Sequence, residues 1–205
     1  MNLMSPRLLA PLALVAAAPA AQPSADLMLV QQHLRGLTTM TADFTQTDRN
    51  GRELTGMLTL KQPGRIRFQY AKGVPLLIVA DGGALTFVDY QVKQVQRWPV
   101  KNSPLGVLLD PTRDIGRYAR VTPGTNARLL AVEANDPAHP EYGRITLVFA
   151  RGAAGPAGLA LQGWVALDSQ GNRTTVRLSN QRFGVDVATN AFAWTDPRRG
   201  GTGRR

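Results

Sequence analysis

Six consecutive residues, Arg65-Ile66-Arg67-Phe68-Gln69-Tyr70, alternate polar and apolar without a break. Such a period of two belongs to an extended chain, because successive side chains of a strand point to opposite faces. Ile66, Phe68 and Tyr70 therefore share one face, and the two arginines share the other. The period recurs on both sides. Leu54, Leu58 and Leu60 alternate with Thr55, Thr59 and Lys61. Residues 76–80 form a compact apolar strand, and Asp81-Gly82-Gly83 is a hairpin turn into 84–90 and then 92–100. Further strands are expected at 128–133, 144–150, 159–167 and 173–179, with Ser169-Gln170-Gly171-Asn172 joining the last two. Phe192-Ala193-Trp194 is expected to close the sheet. Short polar turns between neighbours favour an antiparallel meander.

A helical period appears only in short stretches. Ser24 is a capping residue, and Leu27, Val30, Leu34 and Leu37 follow at spacings of three and four, with Gly36 near the end. In mid-chain, Ser103-Pro104-Leu105 reads as a cap with proline at the first helical position, opening a short apolar helix through Leu109. Residues 110–118 read as a second short helix. The pattern predicts a large, strongly curved antiparallel sheet. One face is apolar, and the other carries Thr, Arg and Gln towards water. Three short helices are available to cover the apolar face.

The N-terminus reads as an address. Arg7 precedes an apolar stretch over 8–18 interrupted by Pro11, and Ala18-Pro19-Ala20 is a small-x-small site. That layout is a secretory signal peptide, with cleavage expected after Ala20 or Ala21. The apolar core is about half the ~20 residues that span a bilayer. The expected organisation is a signal peptide at 1–20, one domain at 21–197 and a flexible basic tail at 198–205. An exported chain without cysteine has no disulfides, no thiolate metal site and no lipidated cysteine.

The formal charge is +10, from 24 Lys plus Arg against 14 Asp plus Glu. Several of the arginines sit in the leader and the tail, and the others are scattered with no run of three, which argues against nucleic acid as a partner. Catalytic constellations are missing too. There is no G-x-S-x-G elbow and no P-loop. His33 lies beside the helical stripe and is expected to be partly exposed. Asp136, His139 and Glu141 have metal-ligating chemistry, but two prolines within 136–141 favour a rigid, solvated turn. Asp81 and Asp168 are expected to serve turns. No enzyme activity, metal or cofactor is expected. The apolar surplus of Leu58, Leu60, Ile66, Phe68 and Tyr70 is compatible with ordinary core. Ordinary core is the favoured reading of these residues alone, and the alternative is a greasy pocket that the helix at 105–109 plugs or lids.

A set of motifs in order gives a resemblance. Met40-Thr41-Ala42-Asp43-Phe44-Thr45-Gln46-Thr47 is followed by 56–70, then by Leu77-Ile78-Val79-Ala80-Asp81-Gly82 and Ser103-Pro104-Leu105. Asp168-Ser169-Gln170-Gly171-Asn172 and Phe192-Ala193-Trp194-Thr195-Asp196-Pro197 come last. Together with the leader they resemble the LolA family of periplasmic outer-membrane lipoprotein carriers over about residues 24–197. The resemblance implies a mainly β fold with short helices, a half-open, incomplete antiparallel β-barrel covered by about three α-helices. It implies a monomeric periplasmic carrier that shields the acyl chains of lipoproteins released from the inner membrane and transfers them to the outer membrane. Its partners would be acylated lipoproteins, an inner-membrane lipoprotein-releasing ABC transporter and an outer-membrane lipoprotein receptor. Position by position, the implied acyl-chain contacts are Leu58, Leu60, Ile66, Phe68 and Tyr70 on the strands and Leu105, Val107 and Leu108 on the lid.

Two departures from the resemblance stand out. Gln62 occupies a position where well-known members have an arginine that hydrogen-bonds the lid. Only eight residues, mostly Arg and Gly, follow Pro197. Both leave open how the lid is held and whether cargo is handed to a receptor or inserted directly. The rival readings are a periplasmic lipid- or lipoprotein-sensing module with a related half-barrel, a lipid-anchored receptor and an exported hydrolase. The missing cysteine disfavours the receptor.

Overall fold

The computed structural model describes residues 24–103 and 105–199. The expected signal peptide, the end of the basic tail and Pro104 lie outside the described residues. Eleven strands pair into one antiparallel sheet: β1 (Thr39–Thr47), β2 (Glu53–Lys61), β3 (Arg65–Tyr70), β4 (Leu76–Asp81), β5 (Ala84–Asp89), β6 (Gln94–Pro99), β7 (Ala119–Thr122), β8 (Leu129–Asn135), β9 (Arg144–Arg151), β10 (Leu159–Leu167) and β11 (Arg173–Phe183). Their order is β6-β5-β4-β3-β2-β1-β11-β10-β9-β8-β7. The chain therefore builds outward from β1 to the β6 edge. It crosses through 100–118 to the opposite edge, and then builds inward from β7 until β11 pairs with β1.

Alternation sets which side chains face inward. Met40, Ala42 and Phe44 on β1, Ile66, Phe68 and Tyr70 on β3, and Ile145, Leu147 and Phe149 on β9 are all buried. The sheet curls around them. Phe68 and Trp164 are four strands apart in the order, which would be about 19 Å in a flat sheet. Their ring centroids are 6.0 Å apart.

Helix α1 (Ala25–Gly36) starts as its sequence requires, with the Ser24 hydroxyl accepting from the Leu27 amide at 3.3 Å. Leu27, Val30 and Leu34 face inward. Helix α2 (Gly106–Leu109) is a single turn in the crossing. Ser103 does not cap it with its side chain. The hydroxyl donates back to the Val100 carbonyl at 2.8 Å, and Ser103 is buried. Residues 110–118 form a loop with one 3₁₀ turn, Ile115–Arg117, in place of the expected second helix. Asp110 and Asp114 accept from Thr112 and Gly116 amides, which favours turns over a continuing helix.

The C-terminal segment differs from expectation. Phe192-Ala193-Trp194 adds no strand. Residues 185–194 cross the outer face of the sheet as a strap, where Val187 and Phe192 pack on Leu77, Val79 and Val88. The strap is tied to three adjacent strands. Thr39 donates to the Val185 carbonyl at 2.8 Å, Lys61 to Val187 at 3.3 Å and Arg67 to Ala193 at 2.8 Å. The outer face over β4 and β5 is thus a second apolar core and does not face water. The physical reason lies in 76–80, where the apolar run does not alternate. A strand apolar on both faces is covered on both.

Candidate functional site

One wall of the curl's interior is built from β1, β2 and β3, and α2 packs against it. On β1, Phe44 stands opposite Gly56 of β2, and Gly56 stands opposite Tyr70 of β3. A Cβ at Gly56 would collide with the Gln69 carbonyl of β3, and with Tyr70 Cα and the Phe44 ring at 2.8 Å each, so the missing side chain lets the β3 backbone and the Phe44 ring close in on this point. Phe44 packs edge-on against Phe68 and Tyr70, with centroids 5.3 and 5.2 Å apart. The Tyr70 hydroxyl donates to Gln46 at 2.8 Å. Burial pushes the Tyr70 phenol up to about 12, against the opposing effect of the Gln46 bond. The tyrosine is a neutral, satisfied member of an apolar wall.

The lid closes this wall. Val107, Leu108 and Leu109 of α2 are buried, and Leu105 is half-buried against the same core. A one-turn helix has no stability of its own. Its anchors are the β2–β3 turn, where the Gln62 amide donates to the Leu108 carbonyl at 2.6 Å and the Gly64 N–H donates to the Leu109 carbonyl at 2.9 Å. The Gln62–Pro63 peptide is cis, and Gly64 has φ +73, a conformation that glycine adopts without strain. On the other side, the Gln31 side chain of α1 bridges Pro111 O at 3.4 Å and the Ile115 N–H at 3.1 Å. At the rim, a recess of about 350 Å³ opens between Pro63, Gly64, Gly82, Gly83, Leu109 and Asp110.

All eight residues singled out in the sequence meet in this one core: Leu58, Leu60, Ile66, Phe68, Tyr70, Leu105, Val107 and Leu108. Phe44, Leu109 and Trp164 belong with them and were not singled out. Phe44 sits in a period-two stretch and was legible as inward-facing, whereas Trp164 was not: period two from Leu159 and Leu161 puts it on the other face, and the register shift between Leu161 and Gly163 turns it inward. Their meeting with Phe68 depends on the curl.

His33 departs from expectation. It is fully buried. Its Nδ1 pairs with the Pro156 carbonyl at 2.8 Å, which makes Nδ1 the protonated nitrogen. The ring lies edge-on to Phe149 at 5.3 Å, and Nε2 has no hydrogen-bond partner. Burial lowers its pKa below the ordinary histidine value, against the raising effect of the Pro156 bond. The loop at 136–141 is a turn. His139 stacks on Tyr142 and pairs with Glu141 at 3.0 Å, while Asp136 turns to Arg113 at 3.5 Å. Asp81 and Asp168 accept from the amides of the residues that follow them, as turn residues do.

An interior of Leu, Ile, Val, Phe and Trp can hold an apolar chain by removing it from water. Residues 35–195 match the family model described as outer membrane lipoprotein carrier protein LolA. The chain is 32% identical over 173 residues to an outer-membrane lipoprotein carrier protein of Xanthomonas campestris pv. campestris, covering 78% of this chain and 79% of that one. It is 29% identical to the protein of the same description from Chromobacterium violaceum, covering 80% of each. A DUF1329 family protein from Desulfovibrio piger shares the fold with a TM-score of 0.51 at 10% identity, over 82% of this chain and 95% of that one.

Proposed function

This chain belongs to the LolA family of outer membrane lipoprotein carrier proteins, a family of carriers and not of enzymes, and from that premise we propose how it carries. The curled sheet is a half-open barrel covered by α1, α2 and the 110–118 loop. The acyl chains of a lipoprotein enter it by displacing the lid. Leu58, Leu60, Ile66, Phe68 and Tyr70 line the strand side of the acyl site, and Leu105, Val107 and Leu108 line the lid side. The supporting observation is the contrast between wall and lid. The wall is continuous hydrogen-bonded sheet. The lid is one turn held by two hydrogen bonds and apolar contact.

The carrier works in the periplasm as a monomer after loss of residues 1–20, with 21–197 as the carrier domain and a flexible basic tail beyond. It takes acylated lipoproteins from an inner-membrane lipoprotein-releasing ABC transporter and delivers them to the outer membrane, to a receptor there. Among the described residues no helix is long and apolar enough to cross a membrane.

The test is recovery of the tagged protein from the periplasm, with mass spectrometry of co-purified N-terminal peptides. Acylated-cysteine peptides are expected with the wild type and lost with Phe68→Glu, which puts a charge into the apolar wall. Equal recovery with Phe68→Glu would sink the assignment of the wall.

A further inference from the structure

The arginines that look scattered in the sequence are gathered by strand alternation. Opposite each inward-facing apolar residue stands an outward-facing one. On the six central strands, β9-β10-β11-β1-β2-β3, seven of those outward positions are cationic and only Asp43 and Glu53 are acidic. Lys61, Arg65 and Arg67 lie on the side that the strap borders. Arg144, Arg173, Arg177 and Arg182 lie on the uncovered side. Among the described residues, none of the seven is ion-paired with a carboxylate, although six arginine–carboxylate pairs form elsewhere on the protein. Unpaired like charges on one face cost stability by mutual repulsion, and a partner of opposite sign removes that cost.

The face also has a groove. Where β1 and β11 slip register between Thr41 and Asp43, a recess of about 610 Å³ opens, bordered by Asp43, Met57, Asn180, Arg182 and Val185. Asn180, at φ +52, donates to the Asp43 carboxylate at 2.7 Å; Asp43 keeps its charge, but it forms no ion pair with Arg182, whose guanidinium stays exposed at the groove. Met57 on β2 is 54% exposed there, a large apolar side chain kept in water. The curl makes this face convex, so a flat bilayer would touch it along a line only and would not reach into the recess.

We propose that this outer face, centred on the groove, is a docking surface for an acidic segment of a partner protein, with one apolar side chain of that segment seated on Met57. The proposal is independent of the acyl-chain reading, because it uses the opposite face of the sheet.

The probe is a fluorescein-labelled peptide of twelve Asp and Glu residues with one central leucine, followed by anisotropy on the full mature protein. Binding is expected to weaken at least tenfold between 50 and 300 mM NaCl, as screening requires. The double variant Arg177→Glu/Arg182→Glu and the single variant Met57→Asp are each expected to lose at least tenfold. The milder Arg177→Gln/Arg182→Gln pair covers any folding defect of the reversal. Lys72→Glu/Arg128→Glu makes the same change in net charge elsewhere and is expected to keep most of the affinity. Binding of a fluorescent fatty acid is expected to be unchanged in every variant, which separates this face from the interior. No peptide binding would overturn the proposal. So would an equal loss in the Lys72/Arg128 control, or tighter binding to phosphatidylcholine vesicles with 30% phosphatidylglycerol or to a 15-nucleotide single strand than to the peptide.

Discussion

Replacing Gln62 tests whether the lid is held by the bond that joins it to the β2–β3 turn. The Gln62 amide reaches the Leu108 carbonyl at 2.6 Å in a partly buried setting. A neutral hydrogen bond contributes about 0.5–1.5 kcal/mol net, and one to a charged group about 1.5–3 kcal/mol. Gln62→Ala removes the first and leaves the Gly64–Leu109 bond in place. The open lid should then gain roughly two- to tenfold in population. If an acyl chain binds only the open form, its apparent affinity rises by the same factor. Gln62→Arg moves the other way, since a guanidinium at this turn donates a charge-assisted bond to the same carbonyl. Titration with a fluorescent fatty acid, together with hydrogen exchange of amides 105–110, reads both effects. The two variants should shift affinity and protection in opposite directions around the wild type. If both leave the two readouts where they are, Gln62 does not latch the lid. If Gln62→Ala binds less tightly, the lid is part of the bound form and not a competitor of the ligand.

Phe68→Ala should cost about 3–5 kcal/mol in urea unfolding, because Phe68 is buried between Phe44 and Trp164 and its loss leaves a cavity. His33 gives a pH dependence. Its folded pKa lies below the unfolded value, so below about 6.5 the unfolded chain takes up a proton that the folded one resists. Stability is therefore full above that pH and falls as pH drops towards the folded value. Urea melts at pH 7.5 and 5.5 should show the loss in the wild type and a smaller one in His33→Gln. Arg67→Ala should free the Ala191 and Ala193 carbonyls, with limited proteolysis cutting 185–194 sooner and urea unfolding showing a loss of about 1 kcal/mol.

Much of this was legible because strands write their faces plainly. The Arg65–Tyr70 alternation gave the inward set of β3, and the Asp81-Gly82-Gly83 turn gave the β4–β5 hairpin. The eight interior residues followed from the same alternation and from the family resemblance. The four-residue strand β7 lacks enough alternation to stand out, and the sheet supplies its edge partner only in three dimensions. The strap was missed for a related reason. Phe192 and Trp194 have the right spacing for a strand, yet the Gly184 turn carries the segment across the outer face, to the apolar patch that Leu77, Val79 and Val88 leave there. His33 was misplaced because only four positions of the helix were counted as the stripe. It lies three residues after Val30 and beside Leu34, on the flank that the 155–158 turn covers. The basic face was invisible in one dimension, since residues brought together by pairing, such as Arg144 and Arg173 on either side of Leu167, are far apart in the chain.

The filled interior also bears on how a carrier can let go. An acyl chain gains about 0.8 kcal/mol for each methylene it removes from water, so chains of ordinary length in a ready-made cavity would be held by tens of kcal/mol. Here Leu58, Leu60, Ile66, Phe68 and Leu108 already occupy one another's company with almost no exposure. A ligand must first separate the lid from the wall, exposing those side chains, before it covers them again. Its net affinity is the difference between two burials of similar size. That difference is small enough to reverse when a competing apolar surface is offered. The prediction is that loosening the packing of lid on wall tips the balance. Val107→Ala removes buried apolar contact and should lower urea stability while strengthening fatty-acid binding. A fall in both would mean that lid and ligand do not compete for the same space.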